Sequence, residues 1–492
     1  DYPGCLRLQR GHPRRTNAPK AAVTKESYTP LTEELISQLE SIVGPDAVLT
    51  DGESRQTYAS DETEDYVFPP EAVVKPGTAD EISEILKLAN VHRIPVTPRG
   101  GGTGLSGGAL AVHGGICLSL ERMNRIREIN REDFYAVVEA GVITQTFQEE
   151  VESIGLFYPP DPASRGTSQL GGNLAECAGG PRAVKYGVTK DYVLGFEAVL
   201  PNGEIMRTGA PVLKNVTGYN LTQLIIGSEG TLAIVTSIVL RLISLPRFRK
   251  VLLAAFPSLE DATTAVADIF QRGASPSALE FLERAAVRVA EERLGRTFPN
   301  GDAGAQLFLE VDGNHEEGVQ EEILKIAGVL EDHHAVDVLM AEEQQKMEEV
   351  WNLRRGIGEA VKSISPYKEE DTVVPRSRLP ELVKGVKEIC QRYRLTSICY
   401  GHAGDGNVHV NILKERLDDA AWRDASERAV REIFQLTVSL GGTISGEHGI
   451  GYSQKPYLTM ALSPVEIRIM KGIKQVFDPH NILNPGKILP DG

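Results

Sequence analysis

No stretch of this chain approaches the ~18 consecutive apolar residues that a membrane-spanning helix requires. A transmembrane span is therefore excluded, while a peripheral membrane contact stays open. No basic run occurs either, and the formal net charge is −16. The clustered lysine and arginine of a sequence-independent nucleic-acid surface are missing. The five cysteines, Cys5, Cys117, Cys177, Cys390 and Cys399, are odd in number and never spaced C-x-x-C. That spacing supports neither a disulfide framework nor an iron–sulfur cluster held by this chain, and favours a reducing compartment. Internal repeats and low-complexity segments are absent as well.

What remains is the composition of a soluble globular protein, with 41% hydrophobic and 24% charged residues over 492 positions. That length implies two or more domains, since single cores stop growing near ~250–300 residues. The first 25 residues carry four arginines and two lysines against one acid. They read as a poorly ordered tail (1–30), a targeting remnant or a processing artefact in origin. Beyond the tail, apolar spacing predicts helices over 32–43 and 79–91 and strands over 72–75, 95–98 and 115–120. Strand-like stretches follow at 193–200 and 204–208, and a turn feeds a β-branched strand within 227–242. Past Pro246 the texture changes. Helices at 259–271, 342–364 and 379–392 alternate with short strands such as 306–311, as in an α+β domain whose helices cover one antiparallel sheet.

The glycine-crowded stretch PRGGGTGLSGG (98–108) contains the literal pattern G-x-G-x-x-G at Gly102, Gly104 and Gly107. A Rossmann turn passes from a strand through such a loop directly into a helix whose N-terminus holds the pyrophosphate. Here the residues after the loop spell another strand, so the Rossmann reading fails. Successive glycine N–H groups still make an anion nest. Turn punctuation is an equal reading for any single glycine, including Gly171, Gly172, Gly179 and Gly180.

The stretch SICYGHAGDGNVHVNIL (397–413) carries a second constellation. Asp405-Gly406 between two β-type runs signals a two-residue hairpin, whose type I′ turn needs positive φ at both central positions. That register sets His402 directly opposite His409, with Cβ atoms ~4.5–5.5 Å apart. Two imidazoles so placed suit one ion, although packing or hydrogen bonding alone is about equally expected of them. GEHGIG (446–451) offers Glu447 as a third ligand and leaves His448 free as a base. Two histidines and a carboxylate suit zinc or a similar first-row divalent metal with open positions. Such a site alone also fits a hydrolase.

Taken together, the glycine loop, GSEGTLAIVT, GHAGDGNVHVN, GEHGIG and NPGKIL resemble the FAD-linked oxidases of the vanillyl-alcohol oxidase type. Within these the chain is similar to the branch holding the glycolate oxidase flavoprotein subunit, D-lactate dehydrogenase and D-2-hydroxyglutarate dehydrogenase. The resemblance runs from about Leu31 to the C-terminus. It implies an α+β protein with a PCMH-type FAD-binding domain of two small α+β subdomains (31–245). A ferredoxin-like antiparallel-sheet substrate domain (246–450) follows, and then a segment (451–492) that returns to the FAD domain. Carried over, Arg99, Gly100, Gly101, Gly102, Thr103, Gly104, Ser106 and Gly107 cradle the FAD pyrophosphate. A second flavin-contacting stretch comprises Pro160, Asp161, Ser164, Gly171, Gly172, Asn173, Gly179 and Gly180; a third comprises Glu229, Gly230 and Ile234, with Asn484 a further cofactor contact. Thr103 stands where some relatives place a histidine that tethers FAD covalently, so a non-covalent flavin is expected.

The same resemblance makes His402, His409 and Glu447 ligands of a divalent metal, with zinc foremost, and His448 the general base. Arg354, Lys368 and Asn411 become substrate contacts. Arg354 shares a helix face with Trp351 and Gly358, and its fork of donors suits a carboxylate; Arg355 is the neighbour expected on the solvated face. Gly358 replaces the hydroxyl residue that the D-2-hydroxyglutarate branch carries beside its arginine, which puts recognition of a second carboxylate in doubt. The implied reaction is FAD-dependent, metal-assisted oxidation of a D-2-hydroxy acid to the 2-oxo acid, with hydride passing to flavin N5. The implied partner is an electron acceptor: oxygen, a quinone, a cytochrome, an electron-transfer flavoprotein or an iron–sulfur subunit. A homodimer is an allowed assembly, and a cytoplasmic setting, with a peripheral contact at the inner membrane face, is expected. Three other readings compete. A non-catalytic flavin subunit has no need of the metal hairpin. A redox-neutral relative such as alkyl-dihydroxyacetonephosphate synthase leaves its flavin unbleached by D-2-hydroxy acids. A metallohydrolase is colourless.

Overall fold

The computed structural model describes residues 28–490; the basic stretch read as a tail falls almost wholly outside them, at 1–27. Three large sheets and one two-stranded sheet order the described residues. The first runs β1 (Val48–Leu49), β2 (Ala72–Val74), β4 (Ile116–Ser119), β3 (Val96–Arg99) in spatial order. The helix Ala79–His92 lies against it, started by the Thr78 hydroxyl, which accepts from Glu81 N at 3.1 Å. That helix buries Ile82, Ile85, Leu86 and Ala89, the periodic apolar face of its sequence. The glycine loop joins β3 to its parallel neighbour β4 with no helix between them, which is why the Rossmann geometry does not arise.

The second sheet is antiparallel and comprises β5 (Ile126–Asn130), β6 (Tyr135–Glu139), β7 (Val193–Val199), β8 (Ile205–Gly209) and β9 (Ile234–Arg241), in the order β5-β6-β9-β7-β8. Ile243–Ser244 still pairs with Leu156–Phe157 beside this sheet. Four residues later the chain enters the third sheet. It comprises β10 (Phe248–Phe256), β11 (Ala278–Glu283), β12 (Ala305–Gly313), β13 (Asp337–Ala341), β14 (Tyr367–Val373), β15 (Thr396–Gly401) and β16 (Asn407–Leu413). Their spatial order is β13-β10-β12-β11-β15-β16-β14, antiparallel throughout.

The two faces of this third sheet have different tasks. Val408, Val410 and Ile412 point into a core shared with the helices Leu259–Gln271, Glu316–Asp332, Leu379–Arg392 and Asp419–Ser439. With a side-chain period of two, His409 and Asn411 must point the other way. Glu280 likewise lies opposite to core residues Leu279 and Phe281 on β11. The helix Gln344–Lys362 covers part of that second face through Leu353, Ile357 and Val361. After a last helix, Pro464–Phe477, the chain returns to the first sheet, where Asn484 N donates to Val96 O at 2.8 Å. The α+β class expected from the sequence is the class observed. Among the described residues the four cysteines are unpaired, and no helix is long and apolar enough to cross a membrane.

Phe281 is wholly buried between Leu307 on one side and Gly401 on the other. Phe281→Ala should therefore cost about 3–5 kcal/mol of stability, read as a lowered urea midpoint. A loss below about 1 kcal/mol would contradict this placement of the core.

Candidate active site

At the tip of β15 the chain turns through Gly401 and His402, makes a 3₁₀ turn at Ala403–Asp405, and starts β16 at Asn407. The register pairs His409 with Tyr400 rather than with His402. The expected two-residue hairpin is therefore wrong, and the reason is packing: Ala403 is wholly buried, and Gly404 is pressed against Val184 and Leu279. The turn carries these residues into the core, so they cannot pair across strands. Asp405 N and Asn407 N both donate to His402 O, at 3.0 and 3.1 Å. The imidazoles still converge, edge to face, with ring centroids 5.2 Å apart.

Glu447 completes a cluster. Its Oε1 lies 3.0 Å from His402 Nε2 and 3.6 Å from His409 Nε2. One ligand atom from each of these three residues falls within 4.8 Å of the others. His448 stacks on His409 at 5.1 Å with rings nearly parallel. Glu369, which the sequence reading missed, forms a second such group with His409 and His448.

Behind the cluster stands Glu280, wholly buried on β11. Its carboxylate contacts His402 Nδ1 at 2.8 Å and accepts from Arg354 Nε at 2.9 Å and from Arg354 Nη2. This fixes the imidazole so that Nε2 faces Glu447, the arrangement by which a second carboxylate orients a metal-binding histidine. Burial alone would lower the His402 pKa, but Glu280 and Glu447 raise it well above the usual range. Burial, with the nearby His448 and His402, pushes His409 down to about 4. Glu447 falls to about 2, because His402 and His409 outweigh the opposing effect of burial.

Two buried carboxylates hold the segment that carries Glu447 and His448. Asp371 Oδ2 accepts from Gly446 N, Glu447 N and His448 N at 2.7–2.8 Å and from Ser445 Oγ at 3.0 Å, while Oδ1 accepts from Asn407 Nδ2 at 2.7 Å. Burial opposes ionisation of Asp371, yet the adjacent histidines and these donors hold its pKa far below the carboxylate range. Two residues past His448, Glu229 accepts from Ile450 N and Gly451 N, both at 2.7 Å. Asp371 belongs to the third sheet, and Glu229 follows the helix Leu221–Ile225 that leads to β9. The site segment is thus fastened from both sides.

A cavity of about 510 Å³ runs from the glycine loop to this cluster. Of the residues singled out in the sequence, its wall includes Arg99, Gly100, Gly101, Gly102, Thr103, Gly104, Asp161, Ser164, Gly171, Gly172, Asn173, Gly179, Glu229, Gly230 and Ile234. Arg354, His402, His409, Glu447 and His448 line its other end. Several expected contacts stand elsewhere. Ser106 O accepts from Tyr452 N and Gly107 abuts Tyr452, so both brace the C-terminal segment. Pro160 O accepts from Gln148 Nε2, and Gly180 is pressed against Asp161 O. Asn484 ties Gly108 O to Glu229 O through its amide. Asn411 is wholly buried on the His409 face and is not among the residues of the cavity wall.

Lys368 needs correction by one residue. β14 pairs Glu369 with Asn411 and Asp371 with His409, so those two acids share the site face and Lys368 faces the other way with Glu370. Burial would lower the Lys368 pKa, but Glu370 and Tyr66 raise it. Arg355 is the opposite case: expected in solvent, it lines the cavity beside Trp351.

Comparison with known proteins gives a consistent picture. Residues 70–209 match the family described as FAD binding domain, and residues 245–488 match the C-terminal domain of FAD linked oxidases. The chain is 41% identical over 459 residues to the glycolate oxidase subunit GlcD of Bacillus subtilis, covering 93% of this chain and 97% of that protein. It is 37% identical over 473 residues to a D-lactate dehydrogenase of Anaerostipes hadrus, covering 95% and 99%. Among solved structures, p-cresol methylhydroxylase superposes with a TM-score of 0.79 at 18% identity, covering 94% of this chain and 99% of that one, which shows a shared fold.

Asp371→Asn removes the anion that three consecutive N–H groups share. A displacement near 1 Å costs on the order of 10² in rate, so turnover should fall about 100-fold with the bound-flavin spectrum unchanged. Turnover within a few-fold of wild type would contradict the clamp.

Proposed function

Because the chain belongs to the FAD-linked oxidases, we propose that it oxidises a D-2-hydroxy acid of the glycolate or D-lactate class to the 2-oxo acid. The observation that carries this reading is the convergence of His402, His409, Glu447 and His448 at one end of a cavity whose other end is the glycine loop. In it residues 31–245 hold the cofactor, 246–450 the substrate, and 451–492 return to the first domain.

The residues fit FAD. Around Gly172 no atom lies within 4 Å of where a Cβ would stand, so its backbone faces open cavity. Arg99 Nη1 and Gln169 Oε1, both buried at the wall, have no hydrogen-bond partner within the protein and suit a ligand rich in phosphate and hydroxyl groups. Thr103, rather than a histidine, stands in the loop, so the flavin is held non-covalently. The residues also fit a divalent metal such as zinc: two imidazole nitrogens and one carboxylate, the first imidazole oriented by Glu280. When bound, FAD supplies the hydride acceptor and the metal supplies a Lewis acid toward the hydroxyl and carboxylate oxygens.

The chain's own groups do the rest. Arg354 is held by Glu280 through Nε and Nη2, which leaves Nη1 to donate to the substrate carboxylate. His448 takes the hydroxyl proton on a ring nitrogen; its backbone N–H on Asp371 and its ring stacked on His409 fix where that nitrogen lies. Tyr400 and Glu369 close the wall beside it. Re-oxidation falls to an acceptor outside the chain, because the four described cysteines are free thiols and three of them are buried. An iron–sulfur subunit, an electron-transfer flavoprotein, a cytochrome or a quinone would serve.

Two outcomes test this. A positioned general base contributes ~10²–10⁴-fold, so His448→Ala should lose turnover by at least that order while binding FAD normally; turnover like wild type would overturn the assignment. Chelation with EDTA should depress turnover, and added zinc should restore it. Full activity after verified metal removal would refute the metal role of His402, His409 and Glu447.

A further inference from the structure

Three cationic side chains of the third-sheet domain reach the cavity: Arg354, Arg355 and Lys362. Two are already neutralised. Arg354 is bound to Glu280, and Lys362 Nζ lies 3.4 Å from Glu369 Oε2. Arg355 differs: among the described residues no carboxylate lies within 4.0 Å of its guanidinium. The nearby acids are engaged elsewhere. Asp161 lies 3.5 Å from Arg182, while Glu310 takes the Trp351 indole N–H at 2.7 Å and contacts Arg182 at 3.5 Å.

The guanidinium is nonetheless held in place. It lies 5.0 Å from the centre of the Trp351 ring, one helical turn earlier on the same face. That ring is fixed by the Glu310 hydrogen bond and by an edge contact with Phe308 at 4.4 Å. Burial, followed by the charge of Arg165, pulls the Arg355 pKa down to about 10. A rigid, partly buried cation without a counter-charge is costly unless a ligand supplies one.

We infer that Arg355 is an anion-binding residue of this cavity, pairing its planar fork of donors with oxygen acceptors that carry a ligand's negative charge. The inference rests on the reading of the cavity as a site for FAD and a 2-hydroxy acid. The charge has two sources of like chemistry, the substrate carboxylate and the N1–C2=O edge of the flavin ring when it is anionic.

The test uses the FAD-loaded protein and two probes that need no turnover, both read by flavin absorbance. Oxalate is a redox-inert mimic of the substrate's carboxylate. Sulfite adds to the flavin and leaves its negative charge on the ring. Loss of a charge-assisted hydrogen bond is worth roughly ten- to hundredfold in affinity. Arg355→Met should weaken at least one probe by that factor, and Arg355→Lys, which keeps the charge but not the fork, should weaken it less. Weaker oxalate binding alone assigns the substrate, weaker sulfite binding alone assigns the flavin, and loss of both assigns both. If both dissociation constants stay within twofold of wild type in flavin-loaded Arg355→Met, the inference is overturned. Should Arg355→Met fail to fold, Arg355→Gln, which also removes the charge, decides with the same two titrations. Failure of the proposed reaction would look different: the wild-type flavin would not bleach with any D-2-hydroxy acid.

Discussion

Five backbone N–H groups between Gly446 and Gly451 end on two buried carboxylates, Asp371 and Glu229. The rest of the site depends on this double fastening. A loop rich in glycine has little conformational preference of its own, yet Glu447 must reach two histidines and His448 must lie over His409. Charge-assisted hydrogen bonds to ionised acceptors are about twice as strong as neutral ones. Asp371 remains ionised because the neighbouring histidines and its own donors outweigh the cost of burial.

Glu280 performs the matching task from below. One buried carboxylate orients His402 and holds Arg354, so the edge proposed for a metal and the edge proposed for the substrate share a single support. The support is a strand, β11, whose next residue, Phe281, is locked in the main core of its domain. A site built on strands can hold its groups to the tolerances that catalysis requires. The glycine loop follows the same logic with fewer charges: parallel strands β3 and β4 fix its two ends, and its backbone faces the cavity.

How much of this was legible in the sequence follows from where each constraint resides. His402, His409, Glu447 and His448 sit in short contiguous motifs, and the structure does bring them together. The geometry expected for the first two was nevertheless wrong, because a turn signal cannot say that Ala403 will be drawn into the core. Lys368 against Glu369 was decided by one step of strand register, and that step is set by pairing with Asn411 and His409. Glu280 and Asp371 carry no motif at all. They lie far from the histidines in sequence and act only once β11, β14 and β16 are assembled. Arg355 was misjudged because helical periodicity marks a face without revealing whether solvent or a cavity lies beyond it.

We propose that this cavity joins a flavin to a base and a metal-binding cluster for oxidising a D-2-hydroxy acid. The most direct measurement is anaerobic mixing of the FAD-loaded protein with D- and L-lactate and with glycolate, following the flavin's visible absorbance. Glycolate or D-lactate should bleach the flavin within the mixing experiment, and L-lactate should not. An unbleached flavin across all three acids, or reduction by L-lactate alone, would contradict the proposal.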